Sequence, residues 1–120
     1  MTINDEHLNT LAAALDAIEE AASENAERSV EIQARARNLR SGLEAGEALI
    51  DMVRDEPRPA IVELLTTNMT TLETAGAQLR AAQALALRAE GLTIEAIAEL
   101  FGVTRQRISA LLRQKAANDV

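Results

Sequence analysis

The chain has 120 residues, a formal net charge of −7 and an apolar content of 48%, with a single aromatic residue and no cysteine. This length permits one domain, or a small domain with an extended arm, and the lack of cysteine excludes a disulfide framework and a thiolate metal site. Because no apolar run approaches the roughly 18 to 20 residues of a membrane span, we expect no membrane partner and a location in the cytoplasm.

The first half of the sequence predicts helix with a heptad pattern. Acidic residues open it at Asp5, and apolar residues follow at alternating three- and four-residue steps as far as Val53. We interpret residues 1–56 as a helical association region, in which either a parallel coiled coil or an antiparallel bundle fits the same heptads. The residues assigned to self-association are Leu8, Leu11, Leu15, Ile18, Ile32, Leu39, Leu43 and Ile50.

Two segments can interrupt this helical region. Ser23–Ser29 places polar Asn25 and Ser29 on the heptad seam, and Gly42 and Gly46 lie further along. Asn25 is interpreted either as a residue that sets the register of a coiled coil or as the mark of a hairpin turn. We prefer a hairpin or a kinked helix to one continuous rod, because a rod so rich in alanine would bury little apolar surface.

The clearest break in the chain is the connector at residues 57–59, which contains Pro57 and Pro59. Prolines one residue apart remove backbone donors and disfavour helix in the residues before them. We expect Pro59 to open a long helix over residues 60–90, either unbroken or interrupted near Gly76, and Met52 and Met69 to be core residues. The apolar stripe predicted for this helix is Ile61, Leu64, Leu65, Met69 and Leu72.

Residues 91–115, GLTIEAIAELFGVTRQRISALLRQK, predict two short helices joined by a turn. Thr93 is a predicted N-cap, Gly102 ends the first helix in the left-handed conformation, and Thr104 caps the second helix. The buried faces are predicted at Ile94, Ile97, Ala98 and Phe101 in the first helix, and at Ile108, Leu111 and Leu112 in the second. The pattern is typical of a helix-turn-helix, and residues 116–120 are predicted to form a flexible tail.

The charge is distributed unevenly along the chain. Residues 1–78 carry six basic and fifteen acidic side chains, a net of −9, whereas residues 79–120 carry six and four, a net of +2. Four positive charges and no negative charge lie between Val103 and Ala117. Phosphate binding depends on the charge at the interface, so this distribution is compatible with DNA, with few phosphate contacts per copy.

The segment resembles the helix-turn-helix of bacterial transcription regulators, and is most similar to those of sigma factors and resolvase-type recombinases, in which GLT-x-x-x-IA-x-x-x-GV-[ST]-R is usual. The matching fixed positions are Ala98, Gly102, Ile108 and Leu111. The resemblance covers about a quarter of the chain and implies an all-α fold with double-stranded DNA as the partner. It also implies base or phosphate contacts for Thr104, Arg105, Gln106, Ser109 and Ala110, with Arg113 further along.

The side chains of the second helix support the same interpretation. Arg105 and Arg107 can bind a guanine edge or a phosphate, and Gln106 can bind adenine. Arg113 and Lys115 are predicted to meet backbone phosphates, although a solvated helix face would have a similar composition. Because a metal site needs more ligands of suitable type than His7 and its acidic neighbours offer, we predict no metal, cofactor or catalytic residue and no enzyme activity.

We therefore predict an all-α protein with an N-terminal helical hairpin or coiled-coil-like bundle followed by a C-terminal helix-turn-helix. Its predicted function is sequence-specific DNA binding as a homodimeric, nucleoid-associated transcription regulator that reads the major groove with the helix starting at Thr104. One alternative is an adaptor whose acidic helical half binds a transcription or recombination protein. Another is a phage or plasmid accessory factor that shapes DNA.

Overall fold

The computed structural model describes the backbone of residues 4–118 and the side chains of residues 6–113. Within those bounds it contains five helices and no strand: α1 (Asn4–Glu44), α2 (Leu49–Asp55), α3 (Ile61–Ala89), α4 (Ile94–Phe101) and α5 (Arg105–Asn118). The all-α prediction is confirmed. None of these helices is long and apolar enough to span a membrane. The chain divides into two compact units, one comprising residues 20–73 and the other the residues up to Glu19 with those from Thr74 onward.

Helix α1 continues through Ser23–Ser29, so the hairpin considered there is wrong. The polar patch has partners on α3 instead of a turn. Asn25 is buried, and its Nδ2 donates to the backbone carbonyl of Asn68 at 2.9 Å. Arg28 Nη1 donates to the Oδ1 atoms of Asn25 and Asn68, at 3.0 and 2.9 Å. A buried amide costs little when it is hydrogen-bonded, and the helix therefore continues.

The break in the heptad region falls at the second segment considered, where α1 ends at Glu44. Gly46 has a φ of 80°, in the left-handed region that favours glycine. Gly42 is buried against the next helix, since a Cβ at this position would lie 2.5 Å from Met52 Sδ and from Glu47 Oε2. Two glycines thus allow the chain to end α1 and bring α2 close to it.

The connector is held by Arg35 of α1. Its Nη1 donates to the carbonyl oxygens of Pro57 and Pro59, at 3.0 and 2.9 Å. The sequence suggested that Pro59 is the first residue of α3, but the helix begins at Ile61. The carbonyl of Pro59 is bound by Arg35, and the first helical hydrogen bonds are accepted by the carbonyl of Ala60. Glu56 Oε1 also accepts from the N–H of Ile61 at 2.6 Å, which satisfies one of the free donors at the start of α3.

Helix α3 is unbroken through Gly76, and its apolar residues divide between two faces. Leu64 is buried and Ile61 is half-buried, whereas the other members of the predicted stripe, Leu65, Met69 and Leu72, are exposed. Met69 is 71% exposed, so its interpretation as a core residue is wrong. The reason is register: Leu64 and Asn68 occupy the inward face, and a residue one position further along points about 100° away.

Candidate nucleic-acid interface

The end of α3 packs with α4 and α5 around one apolar cluster. Ile97 of α4 and Ile108 of α5 are completely buried in it. The buried cluster comprises Ala81, Ala84, Ile97, Ala98, Ile108 and Leu111. Leu87, Leu92, Ile94, Phe101 and Leu112 pack against it from its edge. The buried faces predicted for α4 and α5 are confirmed. Because three members of the buried cluster are alanines, Ile97, Ile108 and Leu111 supply most of its apolar surface.

Two capped helix starts and one glycine fix the turn between α4 and α5. Thr93 Oγ1 accepts from the N–H of Ala96 at 3.1 Å, and Thr104 Oγ1 accepts from the N–H of Arg107 at 3.1 Å. Gly102 has φ 68° and ψ 35°, the left-handed conformation in which a glycine ends a helix. All three positions are as the sequence predicted. The turn thus holds the start of α5 in a fixed direction relative to α4.

Replacing Gly102 with alanine is expected to lower the free energy of unfolding by about 1 to 2 kcal/mol, because a Cβ is strained at this positive φ. Gly76→Ala is the matched control. It lies inside α3, where alanine is favoured over glycine by about 0.5 to 1 kcal/mol, and the new Cβ would make only an ordinary contact with Arg80 Nη1 at 3.5 Å. Urea unfolding followed by circular dichroism should show a lower free energy of unfolding for Gly102→Ala and a higher one for Gly76→Ala. A change in the same direction for both variants would contradict this account of the turn.

The structure brings most of the predicted site residues together on the outer side of α5. Thr104, Arg105, Gln106, Arg107 and Arg113 are exposed, and Ser109 and Ala110 are half-buried. With about 100° per residue, Gln106 and Arg113 lie opposite the buried Ile108 and Leu111, and the two arginines of the first turn flank them. The side chain of Lys115 lies outside the described residues, although its backbone is part of α5.

The first turn of α5 has an unusual charge for a helix start. Helices α2, α3 and α4 each carry a carboxylate in the first turn, whereas α5 has none and carries Arg105 and Arg107. A positive side chain beside the positive end of a helix dipole costs about 0.3 to 1 kcal/mol. Such a local cost is typical of functional sites, and here the amides and the guanidinium groups together favour an anion.

Glu95 is a site residue that the sequence did not reveal. Its Oε1 lies 3.0 Å from Arg105 Nη1, and both side chains are more than half exposed, at 61% and 63%. A carboxylate in the first turn of α4 is explained equally well by the helix dipole, so nothing in the sequence indicated a partner across the turn. Glu95 restricts Arg105 without burying it, because exposed ion pairs are weak and are exchanged easily.

A comparison with protein families agrees with this geometry. Residues 74–117 match the family model described as a homeodomain-like domain. The match spans the end of α3 with α4 and α5, the same helices that share the buried cluster. Searches of curated proteins and of solved structures found no match. The C-terminal helices therefore form a helix-turn-helix DNA-binding domain.

Proposed function

We propose that this protein is a sequence-specific, dimeric regulator of transcription that places α5 in the major groove of double-stranded DNA. The observation that supports it best is the exposed side of α5, where Arg105, Gln106, Arg107 and Arg113 lie away from the buried Ile108. A helix with one buried and one polar, cationic face is the usual element for reading base edges. The resemblance to sigma-factor and recombinase helix-turn-helix units favours the same role.

Each side chain has a chemically defined part in this proposal. Arg105 and Arg107 would each donate two hydrogen bonds to a guanine edge or bind a phosphate, and Gln106 would pair with an adenine. Thr104, Arg113 and Lys115 would contact the backbone and fix the register of α5 in the groove. Ser109 and Ala110 would face the bases, where the small alanine allows close approach to a thymine methyl group.

Two copies are needed because one copy offers few positive charges. Helix α5 carries three arginines and one lysine, in a chain of net charge −7. Non-specific attraction to DNA is therefore weak, and affinity must come from the docking of two copies on half-sites about 34 Å apart or at a multiple of that distance. We propose that the helical N-terminal half supplies the self-association, as its heptads suggest.

Selection of genomic fragments by the purified protein tests this function. We expect enrichment of a short sequence repeated in inverted orientation. For each tenfold rise in salt concentration, the binding constant should fall by about 0.9 logarithmic units per phosphate contact. The fragments should be compared with those retained by a protein that lacks Arg105 and Arg107. Lack of enrichment, combined with a protein partner that survives nuclease treatment, would favour the adaptor role instead.

Replacing Glu95 with glutamine is expected to raise affinity for random-sequence DNA roughly threefold, because phosphates then no longer compete with a carboxylate for Arg105. Discrimination between the selected site and random DNA should decrease. Glu99→Gln, on an exposed position of the same helix, is the control for the change in net charge. Fluorescence anisotropy at several salt concentrations measures both effects. A fall in affinity for random DNA in the Glu95 variant would contradict the competition.

A further inference from the structure

The two arginines in the first turn of α5 point to opposite sides of the helix. Arg105 and Arg107 are two residues apart, which at about 100° per residue separates their directions by about 160°. Gln106 lies between them, on the side away from the buried Ile108. When that side faces DNA, the two arginines lie at opposite edges of the contact, and each meets different groups.

The charges around the two arginines also differ. Glu95 Oε1 of α4 lies 3.0 Å from Arg105 Nη1. Among the side chains that the structure describes, those of residues 6–113, no carboxylate forms an ion pair with Arg107. The pair of Arg105 with Glu95 therefore has no net charge, whereas Arg107 retains a full positive charge.

This difference in charge favours different ligands for the two side chains. A phosphate that binds Arg105 comes close to the carboxylate of Glu95, and the two negative charges repel each other. The edge of a guanine is uncharged and presents two acceptors, O6 and N7, so it requires aligned donors and no net charge. A guanidinium beside a carboxylate is thus better suited to guanine, and an unpaired guanidinium is better suited to phosphate.

The ion pair leaves Arg105 able to bind a base. Its side chain is 63% exposed, and a guanidinium has five N–H groups in a planar fork. One carboxylate cannot use all of these donors, so donors remain for the two acceptors of guanine. The contact with Glu95 also restricts a long side chain before DNA binds, which lowers the entropy lost on binding. Glu95 thus orients Arg105 and reduces its attraction for phosphates.

We propose that Arg105, oriented by Glu95, reads a guanine base, and that Arg107 binds a phosphate. This inference rests on the proposed function and deepens it, because it assigns a different ligand to each arginine. Glu95 is a positioning residue, since it acts on DNA recognition through the side chain of Arg105. The selected DNA accordingly contains a guanine whose recognition depends on Arg105, and binding to any sequence includes a phosphate contact from Arg107.

Replacement of each guanine of the selected DNA in turn tests the role of Arg105. In the parent protein, loss of the guanine that Arg105 reads should lower affinity about 5- to 150-fold, as for a bidentate contact. Arg105→Ala should bind the original and the changed DNA within about twofold of each other. Arg105→Lys should also lose most of the preference, because lysine keeps the charge but lacks the planar fork. Circular dichroism should show the same helix content in all variants.

Arg107→Ala should behave differently on the same DNA. It should retain the preference for the guanine, and its affinity should fall by similar factors for the selected, changed and random sequences. The slope of affinity against salt should decrease by about one unit for each copy bound, since one phosphate contact is lost. Loss of the guanine preference in Arg107→Ala, or its retention in Arg105→Ala, would overturn the assignment and leave sequence-specific binding, and hence the proposed function, standing.

Random-sequence DNA tests the role of Glu95 without any selected site. Glu95→Gln should increase the slope of affinity against salt by about one unit for each copy bound, because Arg105 then also binds a phosphate. The double variant Glu95→Gln/Arg105→Ala should show no such increase relative to Arg105→Ala, and Glu99→Gln is the control for net charge. No increase, or one that persists without Arg105, would overturn the inference. Absence of any enriched sequence would instead refute the proposed function, even when this cycle gives the expected result.

Discussion

Replacement of both Arg105 and Arg107 with alanine is expected to reduce affinity for the selected DNA about a hundredfold or more. A well-placed arginine contact contributes roughly 1 to 3 kcal/mol of discrimination, and two of them are removed together. Affinity for random DNA should fall much less, and the slope of affinity against salt should decrease by about one unit for each phosphate that the variant no longer binds. Anisotropy titrations on the selected and on scrambled sequences measure both quantities.

The stability of this double variant gives a second, independent readout. Both arginines are exposed and lie at the positive end of the α5 dipole, so their removal should leave the free energy of unfolding unchanged or raise it by up to about 1 kcal/mol. Loss of the exposed pair with Glu95 offsets part of that gain. Weaker DNA binding by an equally or more stable protein cannot be attributed to unfolding.

The matched control removes two arginines elsewhere. Arg37 and Arg40 are exposed on α1, and their replacement with alanine changes the net charge by the same amount. This control should bind the selected DNA within about threefold of the parent protein, because neither arginine belongs to the helices that form the buried cluster with α5. If the two double variants weaken binding equally, the effect is one of overall charge, and docking through α5 is refuted.

Replacement of Ile108 with alanine is expected to have the largest effect on stability. Ile108 is completely buried, and loss of a large aliphatic side chain from a core costs about 2 to 5 kcal/mol. A domain of this size has only about 5 to 15 kcal/mol in total. With alanine already at three positions of the cluster, the remaining side chains cannot refill the space. The C-terminal helices should unfold at much lower temperature and lose DNA binding with their structure.

Two milder changes define the scale of that effect. Ile108→Val removes one methylene group and should cost about 0.5 to 1.5 kcal/mol, with DNA binding retained at low temperature. Leu100→Ala truncates a side chain that is 66% exposed on α4 and should change stability by less than about 0.5 kcal/mol. Thermal unfolding followed by circular dichroism ranks the three. An Ile108→Ala protein as stable as the Leu100→Ala protein would mean that the cluster does not hold these helices together.

The C-terminal helices were predictable from the sequence because their signals are local. Thr93, Gly102 and Thr104 each act on backbone groups within a few residues, and the turn allows only one arrangement of the apolar residues on α4 and α5. Cap chemistry and helical periodicity therefore agree on one structure. The pairing of Glu95 with Arg105 was not predictable, since it depends on the angle between two helices.

The helices before them were harder to predict because the decisive contacts are distant in sequence. Asn25 could have marked a turn, and its partner Asn68 lies 43 residues further along the chain. On α3, adjacent Leu64 and Leu65 let two heptad registers fit equally well, and only packing shows that Leu64 is inside. Alanine adds to the ambiguity, because it is accepted at buried and exposed positions alike.

The region that matches the homeodomain-like family begins at residue 74, inside the uninterrupted helix that runs from Ile61 to Ala89. Domains usually meet at flexible linkers, where they can be exchanged between proteins or separated by proteases. Here a cut at that border would sever a helix and create an uncapped end in the middle of its hydrogen-bond ladder. The DNA-binding helices are thus joined to the preceding segment through a continuous helix, and a fusion to another protein would have to keep the two parts of α3 in phase for that helix to continue.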